Sequence, residues 1–120
     1  MIGLAMMLAA ADGPPRLGYA YMTGEMLYQA CHDTGTDRAI CLEYIAGVSD
    51  AVSNLENTDN MLRAVCKPPE VTKDQLADTV LAYFERHPDY RRVLAAGAVI
   101  GALIEKYPCP KEETQRGLKK

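Results

Sequence analysis

Between Cys41 and Leu55 the apolar residues recur at 41, 45, 48, 52 and 55, with Tyr44 and Ala51 widening the stripe. That spacing is one face of a helix, not the alternation of a strand. The opposite face carries Glu43, Gly47, Asp50 and Asn54. A glycine inside a helix costs roughly 1 kcal/mol against alanine, so Gly47 predicts close approach of another element. The stretch predicts the central helix of a small helical domain.

The same reading places three further helices. Thr23 is a cap for a short helix through Met26, Leu27, Ala30 and Cys31. His32 to Asp37 reads as a turn, with Thr36 capping the central helix and Asp37 in its first turn. That helix should fade near Asn54 to Glu56, and Met61 to Val65 could add a short helical turn before Cys66. Lys67-Pro68-Pro69-Glu70 stops helical structure. Thr72-Lys73-Asp74-Gln75 is a capping box, flanked by Val71 and Leu76 as a hydrophobic staple. The third helix it starts should bury Leu76, Val80, Tyr83 and Phe84 and end at His87-Pro88. Pro88 can open the fourth helix, which runs to about Lys106. Leu94 to Ile104 is eleven residues without a charge, too short to span a bilayer, and therefore a buried helix. Gly97 and Gly101, one turn apart, should let another backbone close in, most simply the central helix. The predicted fold is all-α, a compact four-helix bundle.

Composition narrows the class. A chain of 120 residues with 48% hydrophobic and 24% charged residues is one globular domain. A net charge of −3 supplies no basic stripe to displace counterions from nucleic acid. Ile2 to Ala11 is an apolar run ending in small residues, as at a signal peptide cleaved after Ala11, although it lacks a positive leader. Residues 1–22 are then a signal-peptide remnant or flexible arm and linker, 23–109 the helical domain, and 110–120 a flexible basic tail.

Four cysteines without a C-x-x-C pair, in a chain with an export-like start, predict two disulfides. Cys31 ends the first helix and Cys41 lies in the opening turns of the second, joined by a short turn. If the third and fourth helices form an antiparallel hairpin about His87-Pro88, Cys109 returns to the level of Cys66. The predicted pairs are Cys31–Cys41 and Cys66–Cys109. A right-angled bend at Pro88 would instead favour Cys31–Cys109 with Cys41–Cys66.

Catalytic patterns are weak beside these structural ones. Cys31 and His32 are adjacent, so on a helix they diverge by about 100° and cannot act as nucleophile and base. His87 sits beside a proline, where a turn role is usual. The cysteines are too widely spaced for a zinc site. Glu43 and Asp50 suit a solvated or dimer-facing stripe better than an acid–base pair. No phosphate loop or Ser-His-Asp arrangement occurs. No catalytic residue, metal or cofactor is assigned.

Gly24-Glu25-Met26-Leu27 with Cys31, then Cys41 to Ala51, then Cys66-x-Pro-x-x-Val71-Thr72-x-x-Gln75-Leu76 follow one another in a distinctive order. With Tyr83, His87-Pro88 and Tyr107-Pro108-Cys109, this order resembles the Rap/Tai family of immunity proteins. The resemblance covers about Thr23 to Cys109. It implies an all-helical, non-enzymatic periplasmic protein, dimeric in characterised members. Such a protein blocks the active-site groove of a peptidoglycan amidase delivered by type VI secretion. A small periplasmic chaperone or envelope-stress protein is the alternative from another class. Partner contacts are expected on the longest charged connection, Glu56, Asn57, Asp59 and Asn60, and around the third helix's start at Glu70, Lys73 and Asp74.

Overall fold

A computed structural model describes residues 21–58 and 63–110. Within them lie four α-helices: α1 (Gly24–His32), α2 (Thr36–Thr58), α3 (Lys73–Arg86) and α4 (Ala95–Lys106). A 3₁₀ helix, Pro88–Arg92, stands between the last two. The apolar run 2–11, the linker 12–18, Asp59, Asn60, Met61, Leu62 and the tail 111–120 fall outside the described residues.

Local signals set the starts of two helices. The Thr23 hydroxyl accepts the Met26 N–H at 3.2 Å and opens α1. At α3 the Thr72 hydroxyl accepts the Gln75 N–H while the Gln75 side chain accepts the Thr72 N–H, at 3.1 and 2.9 Å. Both donors would otherwise be orphaned at a helix start.

The four helices share one core. Leu27 and Cys31 enter from α1, Cys41 and Ile45 from α2, and Leu76, Val80, Tyr83 and Phe84 from α3. α4 contributes Ala95, Ala98, Val99, Ala102 and Leu103. Three alanines on that inner face let α4 sit close to its neighbours. Leu27, Ile45, Val80, Phe84 and Leu103 are completely buried. Each then contributes about 1.5–3 kcal/mol of apolar burial. The two disulfides are Cys31–Cys41 and Cys66–Cys109, with Cα separations of 5.0 and 4.9 Å. These are the predicted pairs.

Five expectations are corrected. α2 does not fade at 54–56 but runs to Thr58, 23 residues against 12 for α4. Its buried line is Cys41, Ile45 and Ser49, with Val48 and Val52 half-buried and Ala51 and Leu55 exposed. So long a helix outreaches its shorter partners.

The helical turn expected before Cys66 is absent at Ala64 and Val65, which are not helical. The Glu56 carboxylate accepts both their N–H groups, at 2.6 and 3.1 Å. Val65 then bridges Pro108, and the Cys66 N–H bonds the Tyr107 carbonyl at 2.8 Å. Side-chain and long-range acceptors replace the helical ones.

The fourth helix does not begin at Pro88. Val93 and Leu94 are extended because the start of α1 pairs with them. The Gly24 N–H bonds the Val93 carbonyl at 2.7 Å and the Ala95 N–H bonds the Met22 carbonyl at 3.1 Å. Nor do α3 and α4 meet as a tight antiparallel hairpin. The 3₁₀ helix and the extended Val93 and Leu94 stand between them, where a turn at His87-Pro88 alone was expected.

Finally, the glycines differ from expectation. A Cβ at Gly101 would meet the Tyr83 hydroxyl at 2.5 Å, a side chain and not a backbone. Gly47 and Gly97 have no neighbour within 4 Å of such a Cβ. The close backbone approach is at Gly24 instead, where a Cβ would lie 2.1 Å from the Tyr90 carbonyl oxygen.

Candidate protein-binding surfaces

The residues singled out for partner contact fall into two neighbourhoods. Glu56 and Asn57 lie in the last turns of α2. Asp59 and Asn60 lie outside the described residues. Glu56 holds the returning backbone at Ala64 and Val65, so its carboxylate is occupied within the chain. Asn57 is exposed and lines a small concavity with Ser53, Lys67 and Cys66. Charge-assisted hydrogen bonds of this kind contribute about 1.5–3 kcal/mol each, less where the group is half in water. Glu56→Ala is therefore expected to cost about 2 kcal/mol, read as a lower melting temperature together with faster proteolysis in the 59–67 stretch. An unchanged melting temperature would show that the return path does not depend on this carboxylate.

Glu70 stands exposed in the turn ahead of α3. Lys73 pairs with Glu43 of α2 at 2.6 Å, and Asp74 with Arg38 at 3.0 Å. Arg38 also donates to the Cys31 carbonyl at 2.7 Å, capping the C-terminal end of α1. These ion pairs tie the start of α3 to α2. They are exposed, so each adds little stability, but they fix where the charges sit. Glu43, weighed above as half of an acid–base pair, is spent on Lys73, and Asp50 is solvated.

A second surface has no counterpart in the sequence reading. A cleft of about 720 Å³ opens between α1 and the first turns of α2. Met22, Met26, Ala30 and Ile40 give it an apolar lining, and Glu25, Asp33 and Asp37 an acidic one. Met26 is 51% exposed and Ile40 46%. The Asp33 and Asp37 carboxyls hydrogen-bond each other, and that bond, with their mutual repulsion, raises the Asp37 carboxyl above its ordinary range. Glu25 is the opposite case. Hydrogen bonds from Arg91 and Gln29 hold it down to about 2, so it stays ionised far into acid. An apolar lining beside acids suits an apolar or basic segment of another protein. Such a signal is hard to read along a chain, because Met26 and Ile40 come together only once the α1–α2 turn is built.

Both histidines are tied into the bundle. His32 lies 3.7 Å from Glu85 and stacks edge-on against Tyr28, whose hydroxyl donates to the same carboxylate at 2.7 Å. The Glu85 bond raises the Tyr28 phenol. Arg91 caps the Tyr28 ring at 3.8 Å while holding Glu25, which joins the 3₁₀ helix to α1. His87 and Arg86 both pair with Glu105 of α4. Desolvation alone would raise Glu105, yet those two hydrogen bonds outweigh it and keep the carboxyl low. Burial pushes Tyr83, packed against His87, up to about 12. All four cysteines are bonded in disulfides, so no thiol is left as a nucleophile. Among the described residues no cluster of His, Cys, Asp or Glu forms a metal site, and no helix is long and apolar enough to cross a membrane.

What remains is a small helical bundle, held by two disulfides and presenting surfaces suited to another protein. The chain belongs to the Rap1a immunity proteins, whose family model matches residues 23–109. The match spans all four helices and both disulfides. No curated protein and no solved structure is matched by the sequence.

Proposed function

We propose that this protein is a periplasmic immunity protein. It acts as a homodimer that binds a cognate type VI-secreted peptidoglycan amidase and occludes that enzyme's active-site groove. The observation that carries the reading is the family match over the whole disulfide-bonded unit, 23–109. Two disulfides fit an oxidising compartment, where a cell-wall enzyme would also be met. Inhibition by occlusion asks for a rigid body with a charged edge. The start of α3, with exposed Glu70 and the ion-paired Lys73 and Asp74, supports such an edge, and Asn57 stands exposed in the last turn of α2.

The test is capture from periplasm followed by titration into the captured enzyme's peptidoglycan-cleavage assay. One amidase should be recovered, and its activity should disappear at one inhibitor protomer per active site. Charge reversal at Asp59 should slow that association without lowering the melting temperature. Broad, weak recovery of unfolded clients would point to a chaperone and refute the reading, as would peptidoglycan cleavage by the pure chain itself.

A further inference from the structure

The cleft between α1 and α2 changes character along its length. Met22 stands at one end, where the chain enters the described structure, and Tyr21 before it is 99% exposed. Met26 follows. The Cys31–Cys41 bond sets Ile40 level with Ala30, so the apolar lining continues toward the other end. There Asp33 and Asp37 close the cleft. Their carboxyls lean on each other and on the Thr34 N–H, with no lysine or arginine among their described partners. Glu25 differs, being held by Arg91. The cleft thus suits an extended segment that is apolar along its length and cationic at the end farthest from Met22.

The chain carries such a segment immediately upstream. Arg16-Leu17-Gly18-Tyr19-Ala20 has its one cation at the far end, followed by Leu17 and Tyr19. Arg16 is also the one basic residue before Met22. The lengths agree. Extended chain from Met22 back to Leu17 spans about 16 Å, and back to Arg16 about 20 Å. Along α1 the rise from Met22 to Cys31 is about 14 Å, and to Asp33 about 16 Å. Leu17 then falls at the level of Ala30 and Ile40, and Arg16 at the two aspartates. The basic tail after Pro110 fits less well. It departs from the opposite end of α2, where Glu56 holds Val65 and Val65 bridges Pro108. From Glu56 to Ile40 it would have to run about 24 Å along that helix.

We propose that residues 16–20 fold back into this cleft, Leu17 seated against Ala30 and Ile40 and Arg16 paired with Asp33 and Asp37. An exposed ion pair alone would hold the stretch weakly, so the aliphatic contact is the seat and the charge fixes its register. The contact is autoinhibitory. It covers Met26 and Ile40, which are 51% and 46% exposed in the structure, and any other protein that uses the cleft must first displace the stretch. Cleavage after Ala11, the site expected from the sequence, leaves residues 16–20 attached. The inference does not rest on the immunity reading, and it leaves the start of α3 open to a partner.

The experiment is NMR of the full chain labelled at its leucine, isoleucine and methionine methyl groups. Wild type should show cross-relaxation from the Leu17 methyls to those of Ile40 and Met26, undiminished on dilution. Arg16→Glu lies outside the helical unit and should lower those cross-peaks about fivefold, because like charges then meet, while the other helical resonances stay in place. Asp33→Lys added to Arg16→Glu should restore them, since the pair is then reversed. Its lysine at the C-terminal end of α1 suits the helix dipole, so the double variant keeps its fold. Wild type without the cross-peaks overturns the proposal, as do cross-peaks that Arg16→Glu leaves intact or that the folded double variant fails to regain. Cross-peaks found only between differently labelled molecules would give the cleft to a second copy, and cross-peaks from Leu118 would give it to the tail. Either result overturns the proposal equally.

Discussion

Replacing Cys66 and Cys109 together by serine is expected to destabilise the protein by about 4 kcal/mol, close to half the stability of an ordinary small domain. The bridge closes a separation of 43 residues, against 10 for Cys31–Cys41. Loop-closure entropy in the unfolded chain grows with that length, so the shorter bridge should contribute about 3 kcal/mol. The longer bridge also has a local role. It joins the chain just before α3 to the chain just after α4, beside the Val65–Pro108 bridge and the Cys66–Tyr107 hydrogen bond. Denaturant melts of the two double-serine variants decide the matter. The Cys66–Cys109 pair should lose the more, and equal losses would mean that the long loop is already restrained when unfolded.

Gly24→Ala should cost about 3 kcal/mol although it adds a single methyl group. The new Cβ would lie 2.1 Å from the Tyr90 carbonyl oxygen and 2.8 Å from the Arg91 Cα, both backbone atoms that cannot swing aside. Relief requires α1 to part from the 3₁₀ helix. That stretches the 2.7 Å hydrogen bond from Gly24 to Val93 and the Glu25–Arg91 pair beside it. Overpacking of about 1–3 kcal/mol and a weakened hydrogen bond of about 1 set the magnitude. For a domain of this size the melting temperature should fall by roughly 15 °C. Gly97→Ala is the control. It meets no atom within 4 Å and should leave the protein equally or more stable. A Gly24→Ala melt that matches wild type would mean that the two helices are free to separate.

These two glycines show where the sequence was legible and where it was not. Helix faces follow from spacing, and caps from short-range chemistry, so Thr23, Thr72 and Gln75 announced two helix starts that the structure repeats. The disulfide partners were also within reach, because each pair closes near helix ends. The hairpin invoked for Cys66–Cys109 was wrong in detail, since Val93 and Leu94 are drawn out by Met22 to Gly24, some 70 residues away. No local pattern encodes a pairing at that distance. The same holds for Glu56. Along the chain it is one more charge in a polar connection, and in space it organises the return of Ala64 and Val65. The α1–α2 cleft was invisible for a related reason, as its apolar lining is shared between two helices that only the turn at Asp33 to Gly35 brings together.

The two disulfides close separate rings, 31–41 and 66–109, neither threaded through nor overlapping the other in sequence. The chain from 42 to 65 belongs to neither. A single peptide-bond cut between 67 and 108 leaves one covalent molecule, its pieces leashed by the Cys66–Cys109 bond. A cut between 42 and 65 yields two fragments joined only by packing. Within the span between the outermost disulfide cysteines, 31–109, that stretch is the only opening through which one cut separates the chain into two pieces. Glu56, by pinning Ala64 and Val65, guards the downstream edge of that opening.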